Sequence, residues 1–262
     1  MIDTEYRPLA QAPRRQRGFT LIELMIALLI GLFLLGGLMT LVQDNRRSFS
    51  TQNQLSQLQD AERLAMTIMT DVIQAAGYFP DPTSNTATSS LPVVGALTAG
   101  QFMVGTYNAV APGDTITARY ATTTGDGILN CSGSSNTTGN IPPTLYTNVF
   151  SVLNGQLVCT MNGTAYPLVG TAPGAPGTAS GIVVYNLSIL YGVNSTGVGS
   201  NVDSYVNASA VSNWNNVISV QITLTFQNPL WSATVQGQGT QPQYLTFQRV
   251  VGVMNQTGIQ TS

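Results

Sequence analysis

Arg17-Gly18-Phe19-Thr20-Leu21-Ile22-Glu23-Leu24-Met25 stands where a basic leader meets an apolar run. Before it lie Arg7, Arg14 and Arg15. After it, residues 24–42 (LMIALLIGLFLLGGLMTLV) pass without a charge. As a helix this run would span roughly 28 Å at 1.5 Å per residue, about the hydrocarbon thickness of a bilayer. The Arg cluster on its N-terminal side puts the N-terminus in the cytoplasm by the positive-inside rule. A secretory signal would close the run with small residues of A-x-A type. Leu41-Val42-Gln43-Asp44-Asn45 offers no such site.

The helical pattern also continues past the apolar run. No Gly or Pro interrupts the chain between Gly37 and Gly77. Leu58, Ala61, Ala65, Ile68, Val72 and Ala75 recur at alternating spacings of three and four, with Leu55, Met69, Ile73 and Ala76 beside them. That is the amphipathic stripe of a helix packed on its own domain. A helix over residues 19–76 would be roughly 87 Å long. The head that follows could not bury all of it, so its first half needs lipid or sister helices.

From Tyr78 onward the period falls to two. Residues 114–120 (DTITARY) and 216–226 (NVISVQITLTF) alternate, the latter with Ile218, Val220, Ile222, Leu224 and Phe226 on one side. Residues 148–161 hold Asn154-Gly155 between two apolar runs, the strongest short hairpin signal. A two-residue loop there pairs Val152 with Leu157 and Phe150 with Cys159, and Met161 joins them on one face. Residues 182–193 and 243–253 read as further strands, and residues 171–181 and 192–201 as loops. The expected fold is α+β, an antiparallel sheet packed on the second half of the long helix.

Charged residues make up 8% of the chain, against a usual value of about 25%. Beyond Asp81 the charges are Arg119, Arg249, Asp114, Asp126 and Asp203 alone. A net charge of −2 excludes binding driven by neutralising nucleic-acid phosphates. With no His there is no His-dependent triad or His-based zinc site. No nucleophile–base pair, phosphate loop or paired-carboxylate motif is visible. The expectation is therefore a non-enzyme without catalytic residues or cofactor.

The RGFTLIEL boundary resembles the signal of the type IV prepilins: Gly, then Phe or Met, then [Ser/Thr]-Leu-Ile-Glu-Leu and an apolar helix. The resemblance implies that a prepilin peptidase cuts between Gly18 and Phe19 at the cytoplasmic face and methylates the new amino group of Phe19. The helix stays attached and packs in the core of a filament. Glu23 opens the apolar run, and a carboxylate inside a bilayer costs roughly 2.5–3.5 kcal/mol on insertion scales. A salt bridge to the Phe19 amine of a neighbouring subunit would offset that cost and set the axial register. Thr20 to Glu23 is equally a capping box, and the two roles can coexist. Gly31, Gly36 and Gly37 read either as close-packing points in a filament or as the glycines common in membrane helices.

The resemblance extends into the head. The segment through Ala75-Ala76-Gly77-Tyr78-Phe79, DTITARY, the stretch from Cys131 to NVFSVLNGQLVCT, Leu190-Tyr191-Gly192-Val193 and WNNVISVQITL are similar to PilW-type minor pilins. It implies three parts: a cleaved leader (1–18), a long helix (19–77, membrane half about 24–42) and a periplasmic, later extracellular, β-rich head (78–262). The implied function is a minor pilin that helps initiate type IV pilus assembly and sits at or near the tip, with roles in twitching motility and adhesion. Its implied partners are the prepilin peptidase, other minor pilins, the major pilin and the inner membrane. The alternatives are a pseudopilin of a type II secretion system and a membrane-tethered surface-binding module using Trp214, Trp231 and tyrosines. The loop after Tyr191-Gly192-Val193, acidic in much of the family, holds only Asp203 here, so no metal is expected. In the periplasm Cys131 and Cys159 are expected to form a disulfide, worth roughly 3–4 kcal/mol in the chain-entropy picture, with two buried thiols as the alternative.

Overall fold

The computed structural model describes residues 18–137, 143–171, 181–197, 201–231 and 241–254. The leader residues 1–17, most of the loop expected at 171–181 and residues 198–200 of the second loop lie outside the described residues. The chain divides into two compact units, Met1–Ser50 and Thr51–Ser262.

Helix α1 (Leu21–Gln74), whose residues up to Ser50 make up the described part of the first unit beyond Thr20, begins two residues after Phe19 and is unbroken through Gly31, Gly36 and Gly37. It is long and apolar enough to cross a membrane. Its large apolar side chains up to Val42 are exposed, Phe33 at 84%. Nothing lies within 4 Å of where a Cβ would sit on any of the three glycines. The Thr40 hydroxyl donates to the Gly37 carbonyl at 2.8 Å.

In the second unit, Leu58, Ala65, Met66, Met69, Val72, Ile73 and Ala76 of the helical stretch are buried. The buried stripe is rotated from the expected one. Ala61, Ile68 and Ala75 lie at its half-buried edges, and Met66, Met69 and Ile73 reach its centre. Both heptad readings fit the spacing, and the sheets beneath select the Met side. Each fully buried Met, Leu or Ile contributes about 1.5–3 kcal/mol of transfer free energy. The chain leaves the helix at Gly77, whose φ of 83° is in the left-handed region that favours glycine. There the Gly77 amide donates to the Arg119 carbonyl at 2.9 Å, and the Ala121 amide donates to the Tyr78 carbonyl at 2.9 Å.

The head holds two antiparallel sheets where the sequence suggests one. The first runs in chain order: β1 (Met103–Thr106), β2 (Thr115–Thr122), β3 (Thr144–Leu153), β4 (Gln156–Met161) and β5 (Thr164–Gly170). The second comprises β6 (Val184–Val193), β7 (Ser204–Val206), β8 (Val217–Gln227) and β9 (Tyr244–Gly252), in the order β7-β6-β8-β9. A short helix α2 (Ala87–Ser90) with a Thr86 capping box precedes them. The β3–β4 hairpin has the register read from the sequence, with Val152 opposite Leu157 and Phe150 opposite Cys159. Asn154 and Gly155 both have positive φ, 50° and 74°, as a two-residue I′ turn requires.

The sheets meet where β2 begins. Gly113 bridges to Leu187, and the Asp114 amide donates to the Leu187 carbonyl at 2.7 Å. A Cβ on Gly113 would lie 2.1 Å from that carbonyl oxygen, so only glycine fits. The buried Asp114 carboxylate accepts from the Asn108 amide at 2.8 Å and, across the junction, from the Ile189 amide at 2.7 Å.

Cys131 and Cys159 form a disulfide with a Cα–Cα distance of 6.4 Å, and both are fully buried. It ties the loop after β2 to β4 across 28 positions of sequence. Replacing both cysteines by alanine is expected to cost roughly 3 kcal/mol and lower the melting temperature by roughly 6–12 °C. A thermal melt of the full chain in detergent checks this, and a shift under about 2 °C would contradict it.

Candidate processing site and assembly surfaces

The start of α1 at Leu21 places Thr20 at the cap position and Glu23 third in the helix, the spacing of a capping box. The Leu24 amide donates to the Thr20 carbonyl at 3.2 Å. Gly18, Phe19, Thr20 and Glu23 are all exposed, and Phe19 is 83% accessible. Both residues flanking the Gly18–Phe19 bond are thus exposed. Beyond it the exposed apolar face from Leu21 to Val42 has no partner among the described residues.

In the head, Trp214 packs edge-on against Tyr191, with centroids 4.9 Å apart, and belongs to the core margin. Tyr185 and Tyr244 pair at 4.1 Å on the outer side of the second sheet. The loop after β6 is held by its own side chains. Asn194 Oδ1 accepts from the Thr196 and Gly197 amides. The Asp203 carboxylate accepts from the Ser195 amide at 2.8 Å and its hydroxyl at 2.6 Å, which holds the carboxyl below its ordinary range. The loop's single carboxylate is thus already engaged. No group of three or more His, Cys, Asp or Glu able to hold a metal occurs among the described residues.

The prokaryotic N-terminal methylation motif matches residues 13–39, across the Gly18–Phe19 bond. The family described as type IV pilus-assembly protein W matches residues 135–259, from before β3 to beyond β9. The start of the chain is thus similar to type IV prepilins, and its head to PilW proteins. A solved type IV-like pilin from Thermus thermophilus is similar over 76% of this prepilin-like chain and 97% of its own, at 15% identity and a TM-score of 0.38. No curated protein matches the chain.

The positions singled out in the prepilin-like sequence fall in two places. Gly18, Phe19 and Glu23 cluster at the start of α1, and Cys131 and Cys159 join inside the head. Sequence reasoning missed the role of Arg119. Its side chain is fully buried and donates only to backbone carbonyls: Nε to Gln101 at 2.6 Å, Nη1 to Pro92, and Nη2 to Thr98 and to Leu91 at 3.3 Å. Burial pushes this guanidinium down from its usual range. The residue pins the segment between α2 and β1 onto β2. Also missed are two clefts beside α1. One, of about 540 Å³, is lined by Asp60, Ala61, Leu64, Leu168, Gly170 and Ile182, among others. The other, of about 480 Å³, lies where α1 ends.

Proposed function

We propose that this chain is a minor pilin, made as a precursor whose leader, residues 1–18, is removed by a prepilin peptidase. The methylated Phe19 then begins the mature protein. Before assembly residues 24–42 sit in the inner membrane with the N-terminus cytoplasmic and the head periplasmic. Afterwards the helix packs among those of the major pilin and other minor pilins, and the head is extracellular. The observation that carries this reading is the exposed apolar half of α1, which starts beside the exposed Gly18 and Phe19 and is matched by the methylation motif. The role is structural, and no residue is assigned a catalytic part.

We place the chain at or near the tip, helping to initiate the filament. A large head is best tolerated where no subunit lies above it. The head's sparse charge also suits a surface that will be covered, since few ionic groups need desolvation. Shearing pili from cells and sequencing this chain within them tests the reading. The mature protein is expected to begin at N-methyl-Phe19, and antibody label is expected at filament ends. Deletion should abolish surface pili while leaving protein secretion intact. Recovery of a chain starting at Met1 or cut after Val42 would refute the processing, and label along whole filaments would refute the placement.

A further inference from the structure

The 480 Å³ cleft at the end of α1 is lined by Asp71, Gln74, Tyr78, Ile128, Leu129 and Met254, among others. A helix C-terminus carries a partial negative charge and normally gathers Lys or Arg in its last turn. Here the last turn has no basic residue and Asp71 stands in it instead. A second carboxylate fixes the opposite wall: Asp126 accepts from the Thr123 amide at 2.9 Å and the Ile128 amide at 3.2 Å. Burial, and to a lesser degree the Asp126 charge, push the Tyr78 phenol up. No arginine lines it among the described residues. Arg119 is spent on carbonyls inside the head, and Arg249 lies on β9.

We infer that this cleft receives a basic side chain, Arg or Lys, from a neighbouring pilin subunit. Charge complementarity selects this occupant. The aliphatic stem lies along Ile128, Leu129 and Met254, where its methylenes leave water. The cationic end meets the Asp71 carboxylate and the Tyr78 ring, gaining a charge-assisted hydrogen bond and a cation–π contact. The identity of the neighbour as a pilin rests on the function proposed above, whereas the preference for a basic side chain does not.

The test uses the full-length protein in detergent, labelled at the methionine methyls. N-acetyl-arginine methylamide is titrated against it, with N-acetyl-norleucine methylamide as the uncharged control. The expected result is a saturable shift of the Met254 methyl by the arginine probe only, weakened about tenfold or more in Asp71→Asn and retained in Asp71→Glu. Asp71 is exposed, and removing a carboxylate from a helix C-terminus favours the fold, so the variant should melt no lower than the parent. In cells, Asp71→Asn should lower the amount of this chain in sheared pili while its membrane level is unchanged. Equal shifts by both probes, or none, overturn the site whatever the pili show. Probe binding with normal entry of Asp71→Asn into pili overturns the pilin subunit as occupant. Absence of the unaltered chain from pili counts against the minor-pilin reading instead.

Discussion

Arg119→Met is expected to leave a markedly less stable head. The substitution keeps a long apolar stem, so lost packing volume is not the reason. The guanidinium is the donor for the carbonyls of Leu91, Pro92, Thr98 and Gln101. An unsatisfied buried polar group costs about 1–3 kcal/mol. The carbonyls of Leu91 and Thr98 keep the Gly100 and Gln101 amides as donors, so the loss falls on those of Pro92 and Gln101, about 2–6 kcal/mol before the desolvation cost recovered by removing the charge is set against it. That is a large part of an ordinary domain's stability. Arg119→Lys should be intermediate, because an ammonium offers three donors from one point and cannot span the same arc of carbonyls. Urea unfolding of the full chain in detergent, with limited proteolysis between residues 91 and 101, provides the measurement. A midpoint within experimental error of the unaltered protein would show that those carbonyls find other donors.

The second large effect is expected at Glu23. Glu23→Ala should be cleaved normally and keep a folded head, but enter filaments roughly a hundredfold less. The estimate converts the roughly 3 kcal/mol cost of leaving a neighbour's Phe19 ammonium buried without its carboxylate partner into a population ratio. Methylation leaves the amine cationic, so pairing survives maturation. The readout is the ratio of this chain in sheared pili to that in membranes, with mature mass as the control for cleavage. Equal ratios would leave Glu23 with its helix-start role alone. In that position a carboxylate contributes about 0.3–1 kcal/mol at an exposed helix N-terminus.

The legible parts of the chain are those whose cause is local. The Asn154-Gly155 turn fixes the β3–β4 register because two positive φ angles are needed there and those residues supply them. Asn162-Gly163 carries the same signal, with φ of 47° and 87°, and starts β5. β1 and β7 are too short to show a period, at four and three residues. Two sheets replace the single expected sheet because alternation reports which face of a strand is buried and not which strand lies beside it. Arg119 sits in an alternating run where a charge reads as solvent-facing. Its partners are main-chain oxygens of a distant loop, and no residue letter announces them. The clefts arise where α1 meets segments more than fifty residues away, so no short window contains them. At the start of α1 the sequence signal is a composite of basic leader, cap spacing and apolar run, and the structure shares with it the helix start and the exposed apolar run.

The Asp114 carboxylate, shared between an amide of the β1–β2 connection and one of β6, bears on how the head behaves as a building part. Two sheets joined only by apolar contact can slide and hinge, and a partner that needs one arrangement must then select it at an entropic cost. Here a sliding step would strand a buried carboxylate, while Gly113 holds the two backbones too close for any side chain to wedge between them. The two sheets are therefore held in one arrangement before any neighbour arrives. Docking a head held in this way forfeits little conformational freedom, so even a modest contact area can hold it in place.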